Sequence, residues 1–260
     1  MKLLFCELDA LLARDSASAL ASLLPDSETL LARLRQIAPL RAAAPNEAGE
    51  ALHHLLLPFL ALHQVGVAGL SSAGRLVLLA EGATDLVRTL AGRGWAVRLC
   101  SNTYEPYPST VAARFGLDEE HVITTPFPEE ALTGDLGAYA LASISELGED
   151  LRDLPIEDIA ALTARVERFY TDDISYSGFA DALKGAAPLR GQDWVALAEQ
   201  AIAGLGLSWS HTAAIGWSDT AGPLLGAVRA GGGLAVAVKS DHALGVAALL
   251  PLIEDWERRG

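Results

Sequence analysis

Cysteine is scarce in this chain: Cys6 and Cys100 are its two cysteines in 260 residues. A pair so far apart builds neither a disulfide framework nor a zinc cluster, and a reducing cytoplasm is the expected location. Basic charge is also short, 19 Lys and Arg against 33 Asp and Glu, a formal net charge of −14. With an isoelectric point near 4.8, the surface lacks the basic face that nucleic-acid phosphates or anionic lipid would require. Long hydrophobic runs are missing too. The most apolar internal stretch, 55–62, contains Pro58 and is too short to span a bilayer. Glu7 and Asp9 interrupt the apolar start before a signal-peptide core can form. Nucleic-acid partners and membrane insertion are therefore not expected.

What remains is material for a large core. Hydrophobic residues make up 51% of the chain and charged ones 20%, enough for one large domain or a core with an inserted smaller one. The segment Thr212-Ala-Ala-Ile-Gly-Trp-Ser-Asp-Thr-Ala221 reads as a buried strand and a glycine turn, with a helix opening on Ser218 and Asp219. Gly231-Gly-Gly-Leu-Ala-Val-Ala-Val238 then supplies a second strand. This is a βαβ unit, and in open parallel sheets such turns lie at the carboxyl edge, where ligands bind.

Two other strands end in polar groups. Lys2-Leu-Leu-Phe-Cys6 runs into Glu7-Leu8-Asp9, which sets two carboxylates on one face at a strand end. Taken alone, these are equally two scattered, solvated acids. Trp95-Ala-Val-Arg-Leu-Cys100 runs into Ser101-Asn102-Thr103, whose hydroxyl and amide groups suit phosphate or carboxylate oxygens and also suit a helix cap. Val122-Ile-Thr-Thr125 is a third short strand.

The rest is helical. From 16 to 70 the pattern predicts helices over 29–37, capped by Asp26-Ser27-Glu28, and from Pro45-Asn46-Glu47 onward, with Pro58 kinking or ending the second. His53, His54 and His63 lie in or near this helix without an i, i+4 pair, so packing or surface placement is expected rather than metal binding. Further helices are expected over 81–92, 141–147 and 156–169, from Gln192 to Gly204, and over 241–249 and 251–258. Thr171-Asp172-Asp173 reads as the cap of a short helix, its two acids solvated.

The order of parts resembles the haloacid dehalogenase (HAD) superfamily: a strand ending in acid-x-acid, a later strand ending in Ser-Asn, and a final Ile-Gly-x-Ser-x-Thr turn. Gly94-Trp-Ala-Val-Arg-Leu-Cys-Ser-Asn-Thr-Tyr-Glu-Pro-Tyr107, with Val122-Ile-Thr-Thr-Pro-Phe-Pro128, looks most like a divergent, mainly archaeal branch of HAD phosphatases. The resemblance implies an α/β fold with a doubly wound parallel sheet, a Rossmann-like core carrying helical cap insertions. Its core would comprise 1–15, 76–128 and 186–260, with helical insertions at 16–75 and 129–185. It further implies that the strands ending at 6 and 100 are sheet neighbours, placing Cys6 near Cys100 and within reach of a bridge on oxidation.

The family's chemistry uses an aspartate nucleophile, an acid two residues on, a hydroxyl and a lysine on the phosphoryl group, and acids holding Mg²⁺. Carried onto this chain, Glu7 falls at the nucleophile position, one methylene too long, and a one-residue shift would put Cys6 there. Asp9 keeps the acid/base position. Ser101, with Asn102 beside it, keeps the phosphate-binding hydroxyl. Trp194 falls at the lysine position, with Lys184 ten residues earlier. Trp217 and Ala221 replace metal-binding acids, and Asp219 survives nearby. If Mg²⁺ is retained, Asp9 and Asp219 are its ligands; otherwise no cofactor is expected. Trp194 and Trp217 either pack as core or line a remodelled pocket, which Tyr104 and Tyr107 would join if they do not simply pack against the insertion.

The expectation is a HAD-like protein with an eroded phosphohydrolase site, acting as a ligand-binding or assembly component. A small molecule, a second copy or another protein would be its partner. The alternative is a divergent Mg²⁺-dependent phosphatase of a small phosphorylated metabolite, using Glu7 or Asp9, Lys184 and Asp219.

Overall fold

A computed structural model describes residues 1–41, 48–134, 136–175, 177–238 and 246–259. Its strands are β1 (Lys2–Glu7), β2 (Trp95–Tyr104), β3 (Val122–Thr125), β4 (Thr212–Trp217) and β5 (Leu234–Val238). Between β1 and β2 lie α1 (Ser16–Ala21), α2 (Ser27–Arg41), α3 (Ala48–Leu62), α4 (Val67–Leu76) and α5 (Ala83–Gly92). After β2 comes α6 (Tyr107–Phe115). Then α7 (Glu129–Thr133), α8 (Gly137–Asp153), α9 (Ile159–Arg168), α10 (Gly178–Gly185) and α11 (Gly191–Gly204) separate β3 from β4. α12 (Gly222–Ala230) joins β4 to β5, and α13 (Leu249–Arg259) follows.

The strands form one five-stranded sheet in the order β3-β2-β1-β4-β5, with every neighbouring pair parallel. Such a sheet must be covered on both faces, and its short apolar strands have the composition for it. Side-chain alternation along β1 divides the core. Leu4 and Cys6 join Val97, Leu99 and Ile215 against α5 and α6. Leu3 and Phe5 join Cys100 and Ala214 against α11 and α12. Each fully buried Leu or Phe contributes about 1.5–3 kcal/mol, so both faces are firmly seated. This is the doubly wound arrangement, whose ligand crevice opens where the connections leave adjacent strands in opposite directions. Here that point lies between the carboxyl ends of β1 and β4.

Helices α2 and α3 share one apolar interior with α8 and α9, whereas α4 packs chiefly on α6. α2 packs on α3, α8 and α9, and α3 packs on α8, joining Leu34 and Ile37 to Leu56, Ile144 and Leu162. Arg33 of α2 ties the two segments by donating to the carbonyls of Arg152 at 2.8 Å and Leu154 at 3.1 Å. Among the described residues no helix is long and apolar enough to cross a membrane.

Several local expectations change. Pro58 neither ends nor delimits its helix, since α3 runs through it to Leu62. The helix after β4 opens at Gly222 rather than Ser218, because Trp217, Ser218, Asp219 and Thr220 are used in a tight turn. Thr171-Asp172-Asp173 belongs to a π-helical turn, Phe169–Asp173. Asp173 is no solvated acid there: it accepts from Arg165 at 2.9 Å. The expected helix starts at Pro45-Asn46-Glu47 and across 241–245 lie outside the described residues.

Cys6 and Cys100 do lie on adjacent strands, but the register pairs Cys6 with Leu99 and Glu7 with Cys100. That offset of one residue sends the two thiols to opposite faces, Cys6 toward α5 and α6 and Cys100 toward α11 and α12. A disulfide needs converging Cβ vectors, so the bridge considered for oxidation does not form in the folded chain, where both thiols are free and buried. Burial also pushes both thiol pKa values up, which withholds the reactive thiolate. Mild oxidation of the native protein should leave both thiols free when counted after denaturation. Peptide mapping that recovered a Cys6–Cys100 bridge would contradict this register.

Candidate functional site

Glu7 ends β1 directly beside the end of β4 and is 4% exposed. Both of its carboxylate oxygens are engaged by the turn after β4. Oε2 accepts from the backbone N–H of Trp217 at 2.5 Å, and Oε1 accepts from the Thr220 hydroxyl. A carboxylate at this point satisfies donors that a parallel strand leaves unpaired at its end, and charge-assisted bonds of this kind are about twice as strong as neutral ones. The approach is close enough to require glycine next door. A Cβ on Gly216 would lie 2.5 Å from the Ala221 Cβ and 2.8 Å from Glu7 Oε2.

Asp9 sits two residues on, in the 3-10 turn Leu8–Leu11. Its Oδ1 accepts from the Ser16 backbone N–H at 3.0 Å and its Oδ2 from the Ser16 hydroxyl at 2.8 Å. Ser16 Oγ also lies 3.0 Å from His53 Nε2. The chain Asp9–Ser16–His53 thus pins the start of α1 and the face of α3 to the sheet edge. Burial is the main reason the Asp9 pKa is raised from 3.8 to about 7; the Ser16 hydroxyl opposes that rise and the Asp15 charge adds to it.

Ser101, Asn102 and Thr103 occupy an irregular stretch of β2. Pairing with β3 shifts between Cys100 and Tyr104, and such bulges re-aim side chains at a strand end. Ser101 Oγ is spent on Thr103, at 2.7 Å from its hydroxyl and 3.2 Å from its N–H. Asn102 instead faces the cleft.

Four of the expected residues meet there. Asp9, Asn102, Trp217 and Asp219 line a cavity of about 220 Å³, together with Arg35 of α2 and His53 of α3. Arg35 donates to Asp15 at 2.5 Å and to Ser18 Oγ at 2.9 Å. Trp217 also borders a wider outer groove of about 580 Å³ running along α1 and α2.

The other two expected binding residues are elsewhere. Lys184 lies on the exposed side of α10 with its ammonium 3.4 Å from Asp181, because α10 buries Phe179, Ala180 and Leu183 instead. Trp194 is wholly buried on α11, packed with Leu3, Phe5 and Leu224. It is core, not a pocket wall. Tyr104 and Tyr107 are likewise buried, and Tyr104 donates to the Ala186 carbonyl at 3.0 Å. No lysine faces the cavity among the described residues.

The donor set does not fit Mg²⁺, which demands near-octahedral oxygen coordination. Trp217 and Ala221 supply no side-chain oxygen. Glu7 and Asp9 have both oxygens bonded to protein donors, which leaves Asp219, held by Ser218 through one oxygen at 2.9 Å, as the one carboxylate here open to a cation. The residues missed in the sequence are Ser16, Arg35, His53 and Thr220. Thr220 stood within the Ile-Gly-x-Ser-x-Thr turn; the others had no local signal.

The chain matches no protein-family model, and no curated protein is significantly similar to it. Solved structures are. A gene product of Archaeoglobus fulgidus superposes with a TM-score of 0.67 at 19% identity, over 91% of this chain and 73% of that one. Phosphoserine phosphatase in its apo form gives a TM-score of 0.50 at 13% identity, over 86% and 82%. A phospho-aspartyl intermediate analogue of phosphoserine phosphatase gives 0.50 at 14%, over 92% and 84%. At these identities the likeness is one of fold, that of phosphoserine phosphatase.

The buried Asp9 sets a pH dependence. Folding raises its pKa from 3.8 to about 7, so between those values the folded state binds more protons than the unfolded chain. The contribution of this group to stability falls as pH rises through that window and is flat above it. Asp9→Asn is therefore expected to gain on the wild type from about pH 4 to pH 7, by up to about 4 kcal/mol at roughly 1.4 kcal/mol per unit. Urea unfolding across that range measures it, and parallel profiles for the two proteins would contradict it.

Proposed function

We propose that this protein is a HAD-fold binding component whose phosphohydrolase site no longer performs phosphoryl transfer. The observation that carries the reading is the use of Glu7. Its carboxylate stands at the nucleophile position of the resemblance, yet both oxygens hold the turn after β4. A nucleophile must stand free and in line with its target, and misplacement by about 1 Å can cost roughly a hundredfold in rate. The cleft's charge acts in the same direction. Two unit charges 4 Å apart repel by about 4 kcal/mol at an effective dielectric of 20, and Asp219, joined by Asp9 in its ionised form, would face a phosphate dianion. Lys184 lies outside the cavity and does not offset this, Arg35 is committed to Asp15, and the donor set does not suit Mg²⁺.

The helices over 16–76 and 129–185 act in this reading as a cap, since α2 and α3 supply Arg35 and His53 to the cavity wall. The likeness to the archaeal gene product supports placing the chain in a divergent, archaeal-type branch of that fold. The opposing reading, a divergent working phosphatase, draws on Asp9, whose pKa near 7 suits a general acid.

Purified protein incubated with p-nitrophenyl phosphate and Mg²⁺ separates the two. Release of nitrophenol at the buffer rate is expected. Turnover abolished by both Glu7→Ala and Asp9→Ala, in variants that retain the wild-type unfolding transition, would overturn the proposal.

A further inference from the structure

The cleft carries more acid than base and one side chain that waits for a ligand. Asn102 is 4% exposed, borders the cavity, and its side-chain amide makes no hydrogen bond among the described residues, while the buried Trp217 Nε1 of the same cavity also has no partner there. A buried amide is expected to be hydrogen-bonded, and one that opens only into a cavity is placed to meet its occupant. The half-buried indole of Trp217 forms one wall, and Ala17, Ala38 and Leu52 form apolar parts of the others. Arg35 is the cavity's guanidinium, and it is already paired with Asp15. Asp219 is exposed and lines the cavity, and its hydrogen-bond partner is a neutral hydroxyl, that of Ser218. Arg14 faces the outer groove and not the cavity.

From this placement we infer that the cleft binds a small organic ammonium ion, with the cation against the Trp217 indole, Asp219 as counter-ion and the Asn102 carbonyl oxygen as acceptor. An indole face attracts cations through its quadrupole, and the attraction grows where water is excluded. The exposed Asp219 carboxylate lining the cavity adds to it, weakened by water, and repels an anion. The alkyl part of such a ligand would cover the Ala17, Ala38 and Leu52 side chains. This inference gives the binding reading above its ligand class and rests on it.

Saturation-transfer NMR tests it with three probes: n-propylammonium, the nearly isosteric neutral n-propanol, and inorganic phosphate competed against the ammonium. The ammonium is expected to saturate the protein with an affinity about tenfold above propanol, and phosphate should not displace it. Asp219→Asn and Trp217→Leu should each weaken ammonium binding by about tenfold, whereas Trp217→Phe keeps most of it. Unfolding transitions of all variants control for folding, and Trp217→Phe keeps the test decisive if Trp217→Leu does not fold. Equal binding of propanol, displacement by phosphate, or ammonium binding indifferent to Asp219→Asn would overturn the inference. Phosphatase turnover would remove the binding reading while this NMR readout stands by itself. Inactivity without ammonium binding would remove the ligand class alone.

Discussion

The carboxylate of Glu7, clamped between the Trp217 amide and the Thr220 hydroxyl, is the constraint on which the rest of the site depends. It joins the ends of β1 and β4, two strands whose following connections leave on opposite faces of the sheet. At such a divergence the backbone has donors without ladder partners, and the crevice that results is where doubly wound proteins bind ligands. Filling it with a side chain of the protein's own closes part of that crevice. Gly216 is the corollary, since a methyl group there would strike both Ala221 and Glu7.

A second linkage, Asp9–Ser16–His53, carries the geometry outward into the helical layer. It fixes α1 and α3 over the sheet edge, so that Arg35 and His53 wall the cavity opposite Trp217. The two acids of the first strand end therefore have structural work in this chain: one latches strand to turn, the other latches sheet to helices. Carboxylates so engaged have little left to give to a metal or a phosphoryl group. These latches need shape and hydrogen bonds, not a free reactive oxygen.

The fold was readable because its signals are local. Each strand is a short apolar run, each ends in polar residues or glycine, and the final strand-turn-helix-strand segment shows its topology within 27 residues. The site was readable only in part. Asp9, Asn102, Trp217 and Asp219 stand at strand ends, where sequence order and sheet geometry coincide. The bond between Glu7 and Thr220 spans 213 residues, and that between Ser16 and His53 spans 37. No periodicity reports such contacts. Lys184 and Trp194 were misplaced for a related reason. Residue spacing along helices cannot say which side turns to the cleft, and the apolar neighbours Phe179, Leu183 and Ala198 turn both helices the other way.

The clamp itself is measurable by a double-mutant cycle on Glu7→Gln and Thr220→Val, followed by urea unfolding at neutral pH. A coupling energy of about 1–3 kcal/mol is expected for a buried, charge-assisted pair of this kind. Additive effects of the two substitutions, with no coupling, would mean that the Thr220 hydroxyl does not hold the Glu7 carboxylate, and the account given for this site would fail.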